Sequence, residues 1–274
     1  MDLDVLDTAA ARRIYAVKDE RGRVAVYEND EYRWMCIASP HPHSAMDLAQ
    51  PWRPVLPYYS VLLSSLLFQA APASVLMLGL GGGDLVRYYR HYLPDSRLQV
   101  VELNALVMDT YRQYFRSSET EDTALDIHQA DVCEYLHTLE AGSFDMVYLD
   151  VYGKDALPEC LYQPGFYQQL LHALSQQGMV AVNFVTADES DALGLMRLMY
   201  EAFHQQIICL SVGGYMNLVV LGFASDPFTD SSAALELSLQ QLAARFELDF
   251  ALLLENMLLN NPHMAEKIRL RFSR

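Results

Sequence analysis

The sequence predicts an α/β fold, in which a seven-stranded, mostly parallel sheet is covered by helices on both faces and preceded by a small antiparallel β-meander. Three observations lead to it. From Ser74 onward, apolar runs of strand length alternate with stretches of helix length. Between Val75 and Asp84 the run VLMLGLGGGD joins an apolar strand to the first turn of a helix. The glycines between them, Gly79, Gly81, Gly82 and Gly83, let a ligand approach the backbone. Acidic residues then recur at the ends of the next strands, at Glu102, Asp131 and Asp150.

Composition bounds the reading. The chain has 274 residues, 52% hydrophobic and 20% charged, enough for one large domain with a small appendage. We expect residues 1–57 to form the meander and a linker, and residues 58–274 the main domain. The formal net charge of -16 argues against nucleic acid and anionic membranes as partners and is compatible with a cationic substrate. Cys36, Cys133, Cys160 and Cys209 are far apart and show no CxxC spacing, so zinc or redox motifs are not expected and the cysteines read mostly as buried thiols. No basic region followed by an apolar run opens the sequence, and no apolar run reaches the ~18 residues of a membrane span. A cytoplasmic location is expected.

The elements follow in order. Residues 1–12 read as a loose or helical lead-in. The segments IYAVKD, RVAVYEND and EYRWMCIAS, separated by turn signals at Glu20-Arg21-Gly22 and Asn29-Asp30, predict three antiparallel strands. So small a sheet is marginal alone and should pack on the main domain or on another subunit. Residues 41–57 carry Pro42, Pro51, Pro54 and Pro57 and predict an irregular linker. Its histidines, His41 and His43, lack acidic or cysteine partners at ligand spacing and read as loop residues. An apolar helix is expected over 58–69. Strands are then expected at 74–80, 98–103, 124–129, 144–150, 179–185, 207–212 and 217–224. Helices are expected at 84–92, 104–116, 131–139, 164–176 and 189–204. Only Gly213-Gly214-Tyr215-Met216 separates the last two strands, which suits a hairpin and an antiparallel final strand. Residues 232–259 predict one or two amphipathic helices, and the basic tail KIRLRFSR is expected at the surface.

In such a sheet, ligands bind beyond the carboxyl ends of the strands, where the strand order switches. A dinucleotide is disfavoured, because the third glycine of its loop is replaced by Asp84, whose charge would repel a pyrophosphate at a helix N-terminus. A phosphate-binding loop is excluded by the missing lysine. A nucleoside without phosphates fits better. Glu102, 18 residues after Asp84, can accept hydrogen bonds from both ribose hydroxyls, and Asp131 can accept from an adenine amino group. Each acid alone has an ordinary structural role open to it, as a strand-end or helix-capping residue. Asp150 ends the strand FDMVYLD, where it reads either as a loop cap or as a base facing the reacting centre.

These stretches resemble the spermidine synthase (polyamine aminopropyltransferase) family over residues 22–225. LGLGGGDL resembles its glycine loop, with Asp84 on the loop aspartate. QADVCEYL resembles its adenine-contacting segment, with Asp131 on the family's aspartate and Val132 beside it. Most specifically, the stretch from Asp150 through Leu161-Tyr162 to Phe166-Tyr167 follows without a gap the segment that begins with the catalytic aspartate. The resemblance implies the Rossmann-like fold of S-adenosylmethionine-dependent methyltransferases, with a nucleoside-binding catalytic domain from residue 58, a dimer-supporting N-terminal sheet and no metal. It implies transfer of an aminopropyl group from decarboxylated S-adenosylmethionine to an amine such as putrescine, with release of methylthioadenosine. Asp150 then falls on the base and Asp84 on the partner of the donor's ammonium.

Donor choice follows from charge. A carboxylate on the donor, about 4 Å from Asp84, would cost roughly 4 kcal/mol at an effective dielectric near 20. Many methyltransferases carry an acid two residues before the first glycine; here that residue is the apolar Met77. The acceptor side departs from the family pattern. Gly153 stands where a second aspartate is usual, with Asp155 two residues on; Leu85 and Val86 replace two glycines; and Tyr58-Tyr59-Ser60 replaces a Tyr-His-Glu segment. Tyr58, Tyr152, Asp155 and Glu159 are the candidate replacements. Two other readings stay open: an S-adenosylmethionine-dependent methyltransferase on the same fold, and a non-catalytic nucleoside-binding relative.

Overall fold

Two sheets organise the computed structural model, which describes residues 6–20, 22–116, 124–151, 157–185, 189–228 and 238–272. The first is antiparallel and four-stranded: β1 (Arg12–Asp19), β2 (Gly22–Glu28), β3 (Tyr32–Ile37) and β4 (Pro42–Asp47), paired in that order. The fourth strand corrects the expected three-stranded meander and the irregular linker over 41–57. Proline masked it: Pro42 is the first residue of β4, and β4 lies at the sheet's edge, two places where a missing N–H is tolerated. Both faces of this sheet carry buried residues of the main core: Val24, Val26 and Met35 lie on one face, Trp34 and Ala45 on the other.

A short helix, α1 (Pro57–Leu62), follows and tightens into a 3-10 turn over Leu63–Leu67, within the single helix expected at 58–69. The second sheet then begins. Its strands are β5 (Ser74–Leu78), β6 (Arg97–Glu102), β7 (Leu125–Gln129), β8 (Phe144–Leu149), β9 (Leu174–Val185), β10 (Ile207–Ser211) and β11 (Asn217–Phe223). Their order is β10-β11-β9-β8-β5-β6-β7, with β11 antiparallel to both neighbours. This is the mostly parallel seven-stranded sheet that the alternation predicts. The helices between are α2 (Asp84–Tyr92), α3 (Ala105–Thr110), α4 (Val132–Leu136), α5 (Pro164–Ala173) and α6 (Glu189–Ala202). Four are shorter than expected, α6 by only two residues at its end. α3 passes into a π-turn over Tyr111–Phe115, α4 ends at Leu136, and α5 stops at Ala173 because β9 already starts at Leu174.

Burial explains why β5 is central. Val75 to Leu78 are at most 1% exposed, and alternate side chains enter two separate cores. Val75 and Met77 pack with the N-terminal sheet and the C-terminal helices, and Leu76 and Leu78 pack under α4, α5 and α6. Each such burial is worth about 1.5–3 kcal/mol. The C-terminal helices are α7 (Leu239–Phe246), α8 (Phe250–Asn260) and α9 (Ala265–Phe272). α9 carries the basic tail, yet Ile268 and Phe272 are buried, so that segment is a docked amphipathic helix rather than a wholly surface one. The cysteines also depart from expectation: Cys133 and Cys160 form a disulfide, Cys36 is a buried thiol and Cys209 a half-buried one.

Candidate active site

β5 sends the chain to β6 on one side and pairs with β8 on the other, so the crevice opens beyond the carboxyl ends of β5 and β8. Gly79 and Asp150 lie there. The Asp150 N–H donates to Leu78 O at 2.9 Å, and the Gly79 N–H donates to Val101 O at 2.9 Å. Only glycine fits at position 79: its φ is +102°, and a Cβ there would stand 2.1 Å from the Asp150 carbonyl oxygen. Gly81 and Gly82 face Ser44 of β4, whose Oγ accepts the Gly82 N–H at 2.6 Å. Gly83, against the Tyr111 ring, is the N-cap of α2. The close approaches to the loop are therefore made by the protein's own β4, β8 and π-turn.

Asp84 is buried in the first turn of α2. Its Oδ1 accepts the Ala45 N–H at 3.3 Å and lies 3.2 Å from Nη2 of the buried Arg87. Arg87 also donates to the carbonyls of Pro51 and Gly82. Asp84 Oδ2 is buried and accepts no hydrogen bond from the described residues. Burial raises the Asp84 carboxyl above the usual carboxylate range, with Arg87 and the Ala45 amide pulling it back.

Glu102, at the end of β6, sits beneath the loop. Its Oε2 accepts the Leu80 N–H at 3.1 Å and its Oε1 the Asn104 N–H at 2.8 Å. Burial raises its carboxyl, opposed by these backbone bonds. Asp131 is exposed and caps α4, accepting the Cys133 N–H at 2.8 Å, and Val132 beside it is buried.

Asp150 differs from these acids in its partners. Its Oδ1 accepts from Asn183 Nδ2 at 2.9 Å, and Asn183 Oδ1 accepts from Asn217 Nδ2 at 2.9 Å. Burial pushes the Asp150 carboxyl up to about 6. Asn183 and the hydroxyls of Tyr58 and Tyr59 oppose that rise, and the Asp84 charge adds to it. Tyr58 also donates its hydroxyl to His43 O at 2.9 Å, which anchors α1 to β4. A cavity of about 10 Å³, close to the minimum for one water, adjoins Asp150. Tyr59, Met77, Leu80, Leu85, Val86 and Tyr148 line it, so Leu85 and Val86 face this end of the crevice.

The sequence-predicted residues are thus partly assembled. Gly79, Gly81, Gly82, Gly83, Asp84, Glu102, Asp150 and Tyr58 meet around the loop, and Asp131 with Val132 sits at the next strand end. Glu159 opens a 3-10 helix over Glu159–Tyr162 and is exposed. Tyr152 and Asp155 lie outside the described residues. Among the described residues, no three His, Cys, Asp or Glu side chains gather where a metal ion could be held. Sequence reading missed Ser44, Tyr59, Arg87, Asn183 and Asn217. Asn183 had a signal, as the one polar residue in the apolar run MVAVNFV. Ser44 and Arg87 had none, because their roles depend on β4 reaching the loop.

A glycine-rich strand-to-helix loop and an acid at the switch point place the protein among doubly wound α/β folds that bind a ligand beyond the carboxyl ends of their strands. The spermine/spermidine synthase domain profile matches residues 58–197, about half of the chain, and the protein belongs to that family. A polyamine aminopropyltransferase of Neisseria meningitidis is 26% identical over 260 residues, 94% of this chain and 98% of the relative. One from Chromobacterium violaceum is 28% identical over 239 residues, 87% of this chain and 90% of the relative. In fold, the chain is similar to a spermidine synthase solved with the transition-state analogue AdoDATO, with a TM-score of 0.64, 18% identity, and coverage of 94% of this chain and 88% of that one. It is also similar to human methyltransferase-like protein 13 solved with SAH, with a TM-score of 0.58, 18% identity, and coverage of 73% and 93%.

Proposed function

We propose that the protein is an aminopropyltransferase that moves the aminopropyl group of decarboxylated S-adenosylmethionine to an amine such as putrescine. The observation that carries this reading is Asp150: a carboxyl at the switch point, raised to about 6 and held by Asn183. An alkyl ammonium has a pKa near about 10, so it must lose a proton before its nitrogen can attack. A carboxylate whose own pKa is lifted towards neutrality is a better acceptor for that proton than an ordinary aspartate. The amine lone pair then forms a bond to the propyl carbon beside the sulfonium. The carbon–sulfur bond breaks onto sulfur, and neutral methylthioadenosine leaves. One proton is released in all, to Asp150 and then to solvent.

Gly79, Gly81, Gly82, Gly83, Glu102, Asp131 and Val132 are the proposed nucleoside-binding residues. The unpartnered oxygen of Asp84 is the proposed acceptor for the donor's terminal ammonium. Tyr58 is the acceptor-side candidate that Asp150 already feels; Glu159, Tyr152 and Asp155 are weaker proposals. We take residues 1–57 and 58–274 as the two domains, although β4 bonds directly to the glycine loop. A homodimer is proposed from the N-terminal sheet, which ends at β1. Light scattering at micromolar concentration tests it, and a monomer would count against it. Cytoplasmic residence is proposed too, against the Cys133–Cys160 disulfide, a bond uncommon in that compartment. The net charge of -16 speaks against nucleic acid and membrane partners, and no described helix is long and apolar enough to cross a membrane.

A second reading, methyl transfer from intact S-adenosylmethionine, is favoured by Arg87. Its guanidinium offsets part of the repulsion that an isolated Asp84 would exert on a donor carboxylate. Calorimetry with both donors separates the readings: tighter binding of the decarboxylated form is expected, and tighter binding of the intact form would overturn the proposal. Incubation with donor and putrescine, then assay for methylthioadenosine, tests turnover. No product with any di- or polyamine would leave a nucleoside-binding role.

A further inference from the structure

We propose that Asn217 is a positioning residue for the reaction, acting through Asn183 to fix the hydrogen bond that Asp150 receives. This rests on the aminopropyl-transfer reading for its purpose, though not for its geometry. Asn183 lies on β9 and Asn217 opens β11, two residues before the residue paired with Asn183. The arrangement is directional. Asn217 Nδ2 donates to Asn183 Oδ1 at 2.9 Å, and Asn183 Nδ2 donates to Asp150 Oδ1 at 2.9 Å. An amide has one accepting end and one donating end. With its carbonyl held by Asn217, Asn183 presents N–H to the carboxylate. Turned over, it would set carbonyl against carboxylate and NH2 against NH2.

Asn183 is 5% exposed, so its amide depends on these two partners for its hydrogen bonds. A chain of two amides in a part-buried setting also polarises each bond, strengthening the one that reaches the charge. The result is a carboxylate whose Oδ1 is held towards β9 by Asn183. Among the described residues, the titratable groups that bear on Asp150 are Asp84 from α2 and Tyr58 and Tyr59 from α1. None of them lies on β9 or β11, so substitution of Asn217 leaves those groups in place.

The test uses Asn217→Leu, Asn217→Asp and Asn183→Leu in the full chain, with two readouts: the Asp150 carboxyl titration by NMR, and the pH profile of kcat for methylthioadenosine release. Asn217→Leu removes the donor to Asn183. Asn217→Asp is sharper, because a carboxylate only accepts and must turn the Asn183 amide over. Asn217→Asp is expected to raise the Asp150 titration and the acid limb of kcat by about one pH unit or more, and Asn217→Leu by less, while donor KM stays within about twofold. The double variant Asn183→Leu/Asn217→Asp separates the relay from direct charge repulsion. Loss of most of the Asn217→Asp shift in that background supports the relay, and an undiminished shift overturns it. Unchanged Asp150 titration in both Asn217 variants also overturns it. Shifted titration with no methylthioadenosine from any amine would leave the relay standing and overturn the aminopropyl-transfer reading instead.

Discussion

Glu102 and Asp131, on the proposed nucleoside side of the crevice, accept hydrogen bonds from backbone amides, whereas Asp150 accepts a side-chain hydrogen bond from Asn183. The first arrangement ties each acid to the shape of its own loop or helix end. The second leaves the charge state of the acid to residues drawn from three other elements. Substitutions around Asp150 can therefore alter its charge state without breaking the backbone bonds of Glu102 and Asp131. Leu85 and Val86 line the cavity beside Asp150, whereas the loop before them packs against β4 and the π-turn.

The strongest way to sharpen this contrast is Asp150→Asn. Turnover is expected to fall by about a thousandfold with donor affinity within about threefold, read by product assay and calorimetry. The same variant should be more stable than the native chain at alkaline pH. The folded pKa of about 6 exceeds the ordinary value of 3.8, so the native state holds this proton more tightly. Stability is then lost as pH rises through that window, by up to about 3 kcal/mol. Urea titrations at about pH 8 should show the gain, and those below about pH 4 should not. A gain independent of pH would break the assignment of burial as the cause.

The Cys133–Cys160 bond crosses between the two regions, joining the first turn of α4, next to Val132, to the 3-10 helix that carries Glu159. Its sequence separation is 27 residues, so reduction or Cys133→Ser is expected to cost about 3 kcal/mol of stability in denaturant titrations. Next in size, Glu102→Gln sets an NH2 donor against the Leu80 or Asn104 N–H, which then loses the acceptor it has in the native chain. Donor affinity is expected to drop about 10- to 100-fold, with a lower melting temperature. The smallest effect is expected for Asp131→Asn. Asparagine caps a helix about as well as aspartate, so stability should hold to within about 0.5 kcal/mol. Any weakening of donor binding in that variant then reports a ligand contact rather than a lost cap.

Much of this was legible from residue order. The alternation after Ser74 dictates the parallel sheet, because strands buried on both faces must be apolar and the helices between them amphipathic. The run into Gly79–Gly83 and the acids at strand ends mark the crevice, because a parallel sheet sends its carboxyl ends to one side. What residue order did not determine are the contacts made across long stretches of chain. β4 was hidden by Pro42 and the prolines that follow it, and with it Ser44 on the loop and Ala45 on Asp84. The disulfide joins cysteines without motif spacing. The Asp84–Arg87 pair is local in sequence, but its burial depends on β4 and on the carbonyls of Pro51 and Phe115. Asn217 meets Asn183 only because β11 inserts antiparallel beside β9. Periodicity reports how each segment divides its faces between core and solvent. Which segments then face one another is set by packing, and the environment of Asp150 was decided there.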